Sequence, residues 1–203
     1  MILSYKDLIA AWNKKRIRFT PDIIPERQIG LSSIDLRLGT VFAKLKPREG
    51  LVVQPARGFD PTDHVEIEEA HGGFVSGGPL FRLAPHEFRL AFTLEEVTLP
   101  PDLAANVQGK SSLARAGLAV HITAPHIHPG FSGRITLEFY NHGPWMLEFV
   151  PGEDLVCQLI LYKVTSPVDK RATDALSTYA RQKTPFPSRE RPGSQAKRKR
   201  RDR

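Results

Sequence analysis

The chain has 203 residues, 40% of them hydrophobic and 25% charged, with 15 Gly and 17 Pro. That length allows one ordinary core, the Gly and Pro content suits strands and turns better than a helix bundle, and no apolar stretch reaches the ~20 residues of a membrane-spanning helix. The formal charge is +7, but residues 189–203 (RERPGSQAKRKRRDR) hold +6 of it, so the body makes no composition-level case for a nucleic-acid-binding face.

The N-terminus, Met1 to Lys15, lacks the basic start and apolar run of a secretory signal. One cysteine, Cys157, excludes an internal disulfide and any multi-cysteine zinc site. A reducing, cytoplasmic compartment is the expectation. Ser4 and Asp7 form an S-x-x-D capping box, Leu3 and Leu8 can staple it, and Leu8 and Trp12 share a face. The first element is therefore a short helix, and Pro21 and Pro25 break the stretch after it. From Ser33 the period changes to two: Ile34, Leu36 and Leu38 alternate with Asp35 and Arg37 until Gly39, which predicts a strand. Residues 46–80, rich in Pro, Gly and acids, predict loops and short strands. Phe88, Leu90 and Phe92 alternate again, and Pro100-Pro101 closes that section.

Ser111 to Ala116 predicts one or two turns of helix stopped by Gly117, and Leu118 to Thr123 reads as extended. Pro129-Gly130 marks a turn. Gly133 to Tyr140 is the clearest strand, with Ile135, Leu137 and Phe139 on one side and Thr136, Glu138 and Tyr140 on the other. After a turn at Pro151-Gly152, Leu155 to Tyr162 is nearly all apolar, as for a strand buried on both faces. Many short strands between turns predict a mainly β, closed or sandwiched body. Residues 168–188 read as an extended arm on this single domain of residues 1–188, and 189–203 as a disordered basic tail.

Five groups could carry chemistry. Gly109-Lys110-Ser111-Ser112-Leu113-Ala114-Arg115 sets two hydroxyls at a helix start between two cations, which suits either a phosphate or a plain Ser-capped surface helix. A Walker A loop is excluded, because Ala104 stands where its first Gly must be. Glu138 lies in the middle of an apolar strand; an unpaired carboxylate is costly to bury. It should face a cleft, a partner or a subunit interface, where it could act as a general base on water, or else lie on an exposed face or in a structural salt bridge. His126-x-His128, with His121 nearby, offers two ligands where a catalytic zinc needs three, so turn or site-lining roles fit these histidines better. The zinc deaminase signature, which ends in P-C-x-x-C, is impossible with one cysteine. Tyr179-x-x-Gln182 could supply stacking and an amide from an arm that orders over a ligand. The Lys197–Arg201 run suits either a solubilising tail or weak nucleic-acid contact.

The run Gly109 to Leu118 resembles the G-[RK]-S-S-L-A-R-x-G-L motif of dCTP deaminases, in the dUTPase-like superfamily. The likeness continues through His121-Ile122-Thr123-Ala124, Pro129-Gly130-Phe131-Ser132-Gly133 and Thr136-Leu137-Glu138-Phe139-Tyr140-Asn141. Weaker matches are Ser33 to Gly39, Leu94-Glu95 to Leu99-Pro100, and Tyr179-x-x-Gln182. The resemblance spans roughly residues 1–188, in matching order and spacing. It implies a distorted β-barrel or jelly-roll, a homotrimer with sites at subunit interfaces, and hydrolytic deamination of dCTP to dUTP and ammonia for thymidylate synthesis. Magnesium would arrive with the triphosphate, no zinc would be needed, and dTTP is an expected feedback inhibitor.

By the same resemblance Glu138 is the base that activates water, and Ser111 and Arg115 position that water and support the glutamate. Lys110, Ser112 and Arg115, with Leu113 and Ala114 in the same segment, meet the phosphates. Thr136 and Leu137 line the nucleotide pocket, Gln158 contacts nucleotide, and Tyr179 and Gln182 belong to the arm that closes over it. The sequence departs from the family at His128, where an Asp that meets the sugar is common. It also departs at Lys110 for Arg, at Thr178 for Lys, at Thr184 for Gly, and in the basic extension after Arg189. The enzyme alternatives are a dUTPase or a bifunctional deaminase and diphosphatase; Glu138 disfavours a plain dUTPase and His128 disfavours diphosphatase chemistry. The remaining alternative is a non-catalytic nucleotide-sensing or nucleic-acid-binding relative using the tail, which retention of Glu138, Ser111 and Arg115 disfavours.

Overall fold

The structure is a computed structural model, and it describes residues 1–54, 64–72 and 79–169. The first helix, α1 (Tyr5–Asn13), forms as its cap predicts: Ser4 Oγ donates to Asp7 Oδ2 at 2.8 Å and Leu3 and Leu8 are buried. A short strand β1 (Arg18–Thr20) comes next. Pro25 then opens a single turn, α2 (Pro25–Gln28), instead of only breaking structure. Proline suits a first helical position, where its missing N–H is no loss.

Strands β2 (Ile34–Arg37), β8 (Leu103–Gly109), β10 (His126–Ile127) and β13 (Leu155–Lys163) form one sheet in the order β10-β8-β13-β2. A second sheet runs β4-β3-β7-β11-β9, from β3 (Val41–Leu45), β4 (Val65–Glu69), β7 (Phe88–Thr98), β9 (Leu118–Ala119) and β11 (Ser132–Asn141), with β1 paired to β7. The third is β12-β6-β5, from β5 (His71–Gly72), β6 (Pro79–Leu83) and β12 (Leu147–Phe149). The first two sheets are joined where Leu38 bridges Thr93 and the Gly39 N–H donates to the Phe92 carbonyl at 2.7 Å. Stacked Phe42 and Phe81, with centroids 3.8 Å apart, and the tilted rings of Phe139 and Phe149 pack the third sheet onto the second.

Three expectations need correction. Strand β13 is not buried on both faces: Val156, Leu159 and Leu161 are in the core, while Gln158, Ile160 and Tyr162 are half-buried. Apolar composition does not say which way a side chain faces, and Ile160 lies on the more open side. The alternation of Phe88, Leu90 and Phe92 is instead a doubly covered stretch, because β7 is central and Arg89, Ala91, Thr93 and Glu95 are buried too. The extended reading of Leu118 to Thr123 holds only for β9; the chain bends after Ala119. The short helix α3 (Ser111–Arg115) and the alternation of β11 are as expected.

Candidate active site

The site is built at the end of β11. Ile135, Leu137 and Phe139 enter the core, so Thr136, Glu138 and Tyr140 take the other face. Glu138 sits opposite Leu90, in a strand paired along most of its length with β7. Its Oε2 accepts the backbone N–H of Ile122 at 3.1 Å. The carboxylate thus anchors the bend after β9.

Helix α3 is fixed beside the same strand end. It runs into β9, which pairs with β11 as Ala119 opposite Tyr140 and Leu118 opposite Asn141. Between them Gly117 has φ of +100°, and a Cβ there would lie 2.3 Å from the Gly143 nitrogen. Only glycine permits both that angle and that approach. Asn141 holds the opposing turn: its Nδ2 donates to the carbonyls of Leu83 and Trp145, at 3.1 and 2.8 Å, and its Oδ1 accepts the Gly143 N–H at 2.9 Å.

On α3, Ser111, Ser112, Ala114 and Arg115 are exposed, while Leu113 packs against the core. Among the described residues the side chains of Ser111, Ser112 and Arg115 make no hydrogen bond or ion pair, and none links them to Glu138. The cationic turn and the carboxylate therefore belong to one region of the fold, with no hydrogen bond or ion pair between them among the described residues. Leu137 is fully buried, so its side chain lines no pocket and only its backbone could serve there. Thr136 shares the Glu138 face. Tyr179, Gln182 and the basic tail lie outside the described residues.

Lys110 and Gln158 turn elsewhere. Lys110 makes an ion pair with Asp35 on β2. Gln158 lies between, opposite Gln108 on one side and Asp35 on the other. Its Nε2 donates to the Gly109 carbonyl at 3.0 Å and its Oε1 accepts the Ser33 hydroxyl at 3.1 Å.

His126 and His128 meet edge to face with centroids 4.9 Å apart, and His126 also stacks on Tyr162 at 6.4 Å. Partial burial, then the charge of His128, holds the His126 pKa below its usual range, and burial raises that of Tyr162. Among the described residues no three of His, Cys, Asp or Glu are grouped to hold a metal. The half-buried His121 keeps its Nδ1 buried with no hydrogen-bond partner among those residues.

The Ile122 N–H, Asp35 and Glu95 had no role assigned from sequence. A backbone donor leaves no signal in a sequence. Asp35 carries the same signal in the sequence as Glu138: both are acids on the half-open face of an alternating strand.

Comparison with solved structures supplies the fold. The chain resembles the 2'-deoxycytidine 5'-triphosphate deaminase of Agrobacterium tumefaciens with a TM-score of 0.60, at 16% identity, over 87% of this chain and 53% of that one. It spans about half the length of that protein, and at this identity the likeness shows the fold alone: mainly β, with few short helices. The chain belongs to the dCTP deaminase family, whose sequence profile, described as dCTP deaminase-like, matches residues 2–164. It is 40% identical over 190 residues to a dUMP-forming dCTP deaminase of Dictyoglomus turgidum, covering 93% of this chain and 94% of that one. It is 38% identical over 198 residues to a dCTP deaminase of Rhodospirillum rubrum, covering 93% and 96%.

Proposed function

We propose that the protein hydrolyses the exocyclic amine of dCTP, with Glu138 as the general base. The observation that carries the reading is a carboxylate held on a rigid strand face within a chain of this family. Glu138 takes a proton from water as the oxygen attacks C4 of the cytosine. That proton passes to N3 of the ring; as the tetrahedral intermediate collapses its C4 hydroxyl proton goes to the amino group, ammonia leaves, and a uracil ring with N3–H and C4=O remains. Ser111 and Arg115 orient the water and the glutamate, and Lys110 with Ser112 receives the triphosphate. Magnesium arrives on that triphosphate as part of the substrate.

No hydrogen bond or ion pair joins α3 to Glu138 within the described residues of one chain, and the reading includes a homotrimer in which Arg115 and Ser111 of one subunit serve Glu138 of the next. A further release of dUMP and pyrophosphate is a second reading, favoured by the dUMP-forming name of the Dictyoglomus turgidum relative and of one from Methanosphaera stadtmanae that is 41% identical over 170 residues. His128 counts against it.

Incubation with dCTP and magnesium, resolved by ion exchange beside Glu138→Gln, tests the deamination and its base. Ammonia and a uracil nucleotide are expected, with a loss of at least about 10²-fold in the variant, the usual worth of a general base. Turnover that persists in Glu138→Gln removes the assigned base. The product, dUTP or dUMP, separates the two readings.

A further inference from the structure

Lys110 is the residue before α3, and its backbone is still extended there, with φ of −88° and ψ of 133°. Its side chain therefore leaves before the helix begins. It reaches back over the sheet, and its ammonium pairs with Asp35 on β2, a strand that lies on the far side of β13. Both side chains are about three-quarters buried, at 25% and 21% exposure, so the pair is shielded from bulk water more than a surface pair.

Everything around the pair is braced. Gln158 fills the strand between, with its amide spent on Gly109 at one end and Ser33 at the other. The Asp35 carbonyl accepts Gln28 Nε2 at 2.9 Å, and Gln28 is itself buried. The Asp35 backbone is thus fixed on β2 and carries its carboxylate on a short side chain, while Lys110 is a long chain on a short turn.

We infer that Asp35 is the positioning residue for Lys110: it holds the ammonium in one place so that a polyphosphate meets an ordered cation. This rests on the reading that Lys110 receives the triphosphate. An unrestrained lysine loses much rotamer freedom when it binds an anion. Here the ion pair has already taken that freedom, and an ammonium has three donors, so one given to Asp35 leaves two for phosphate oxygens. Asp35 touches no reacting atom in this account and acts through Lys110.

The test is a double-mutant cycle of Asp35→Asn, Lys110→Met and the pair, with KM and kcat for dCTP and a thermal melt for each. Asp35→Asn is expected to raise KM roughly five-fold, the upper range for a partly exposed ion pair, and to leave kcat within about two-fold. In the Lys110→Met background it should add nothing further. Calorimetric titration with inorganic tripolyphosphate reads the same cycle without turnover. No turnover of dCTP with the tripolyphosphate cycle intact sinks the deaminase reading and keeps the role of Asp35. Additive effects of the two substitutions, an unchanged KM, or a lower KM in Asp35→Asn would each overturn the role, the last by making Asp35 a competitor of phosphate.

Discussion

Glu95 has no exposed surface, yet it is an acid. It survives there because three donors reach its carboxylate: Arg37 Nε at 2.7 Å, the Arg37 backbone N–H at 2.9 Å and Gln28 Nε2 at 3.0 Å. Removing a partner from such a pair leaves an uncompensated buried charge. Glu95→Ala should therefore lower stability by about 3–5 kcal/mol, measured by urea unfolding. A loss under about 1 kcal/mol would mean that water replaces the carboxylate. Both residues lie in the stretches that resemble the family, but their role was not legible in the sequence. An alternating strand suggests that an acid at every second place is wet, and only the neighbours of β7 show otherwise. The half-open face that Glu138 takes was legible because its own strand alternates cleanly and β7 covers only one edge of it.

At the level of elements, the position of α3 depends on the crossing of Gly117 and Gly143. A Cβ on Gly143 would come within 2.5 Å of the Ala116 carbonyl, so the crowding is mutual. Gly117→Ala adds that clash to the cost of a left-handed backbone. It should destabilise by at least about 2 kcal/mol, read in a thermal melt, and lower kcat for dCTP by shifting Ser111 and Arg115. An unchanged melt would show that the turn yields freely. The existence of α3 was legible from its serines and terminal glycine; its placement was not, because it depends on a turn 26 residues further on. The same gap explains β13, whose apolar run hid that Gln158 and Tyr162 share a face with polar residues of β2 and β8.

At the scale of the molecule, the missing bond between Arg115 and Glu138 within the described residues of one chain bears on assembly. Coexpression of Glu138→Gln with Arg115→Ala should restore about a quarter of the wild-type rate, the statistical share of intact sites when each site draws on two subunits. If both groups serve one chain's own site, the mixture stays inactive. The overall architecture was readable from strand periodicity and turn residues, since one buried face per strand forces sheets to stack. The pairing order was not readable, because β2 meets β13 and β7 meets β11 across long stretches of chain.

The single thiol of the chain lies within the four-stranded sheet, between Gly109 on β8 and Leu36 on β2. Cys157 is fully buried; burial and then the carboxylates of Glu95 and Asp35 push its pKa up, and Lys110 only partly offsets them. A thiol reagent cannot reach it while the strands stay paired, so labelling clocks the opening of that sheet. Sheet and Lys110–Asp35 brace are the same piece of structure. A nucleotide that tightened the brace would slow the clock, without any label having been engineered into the protein.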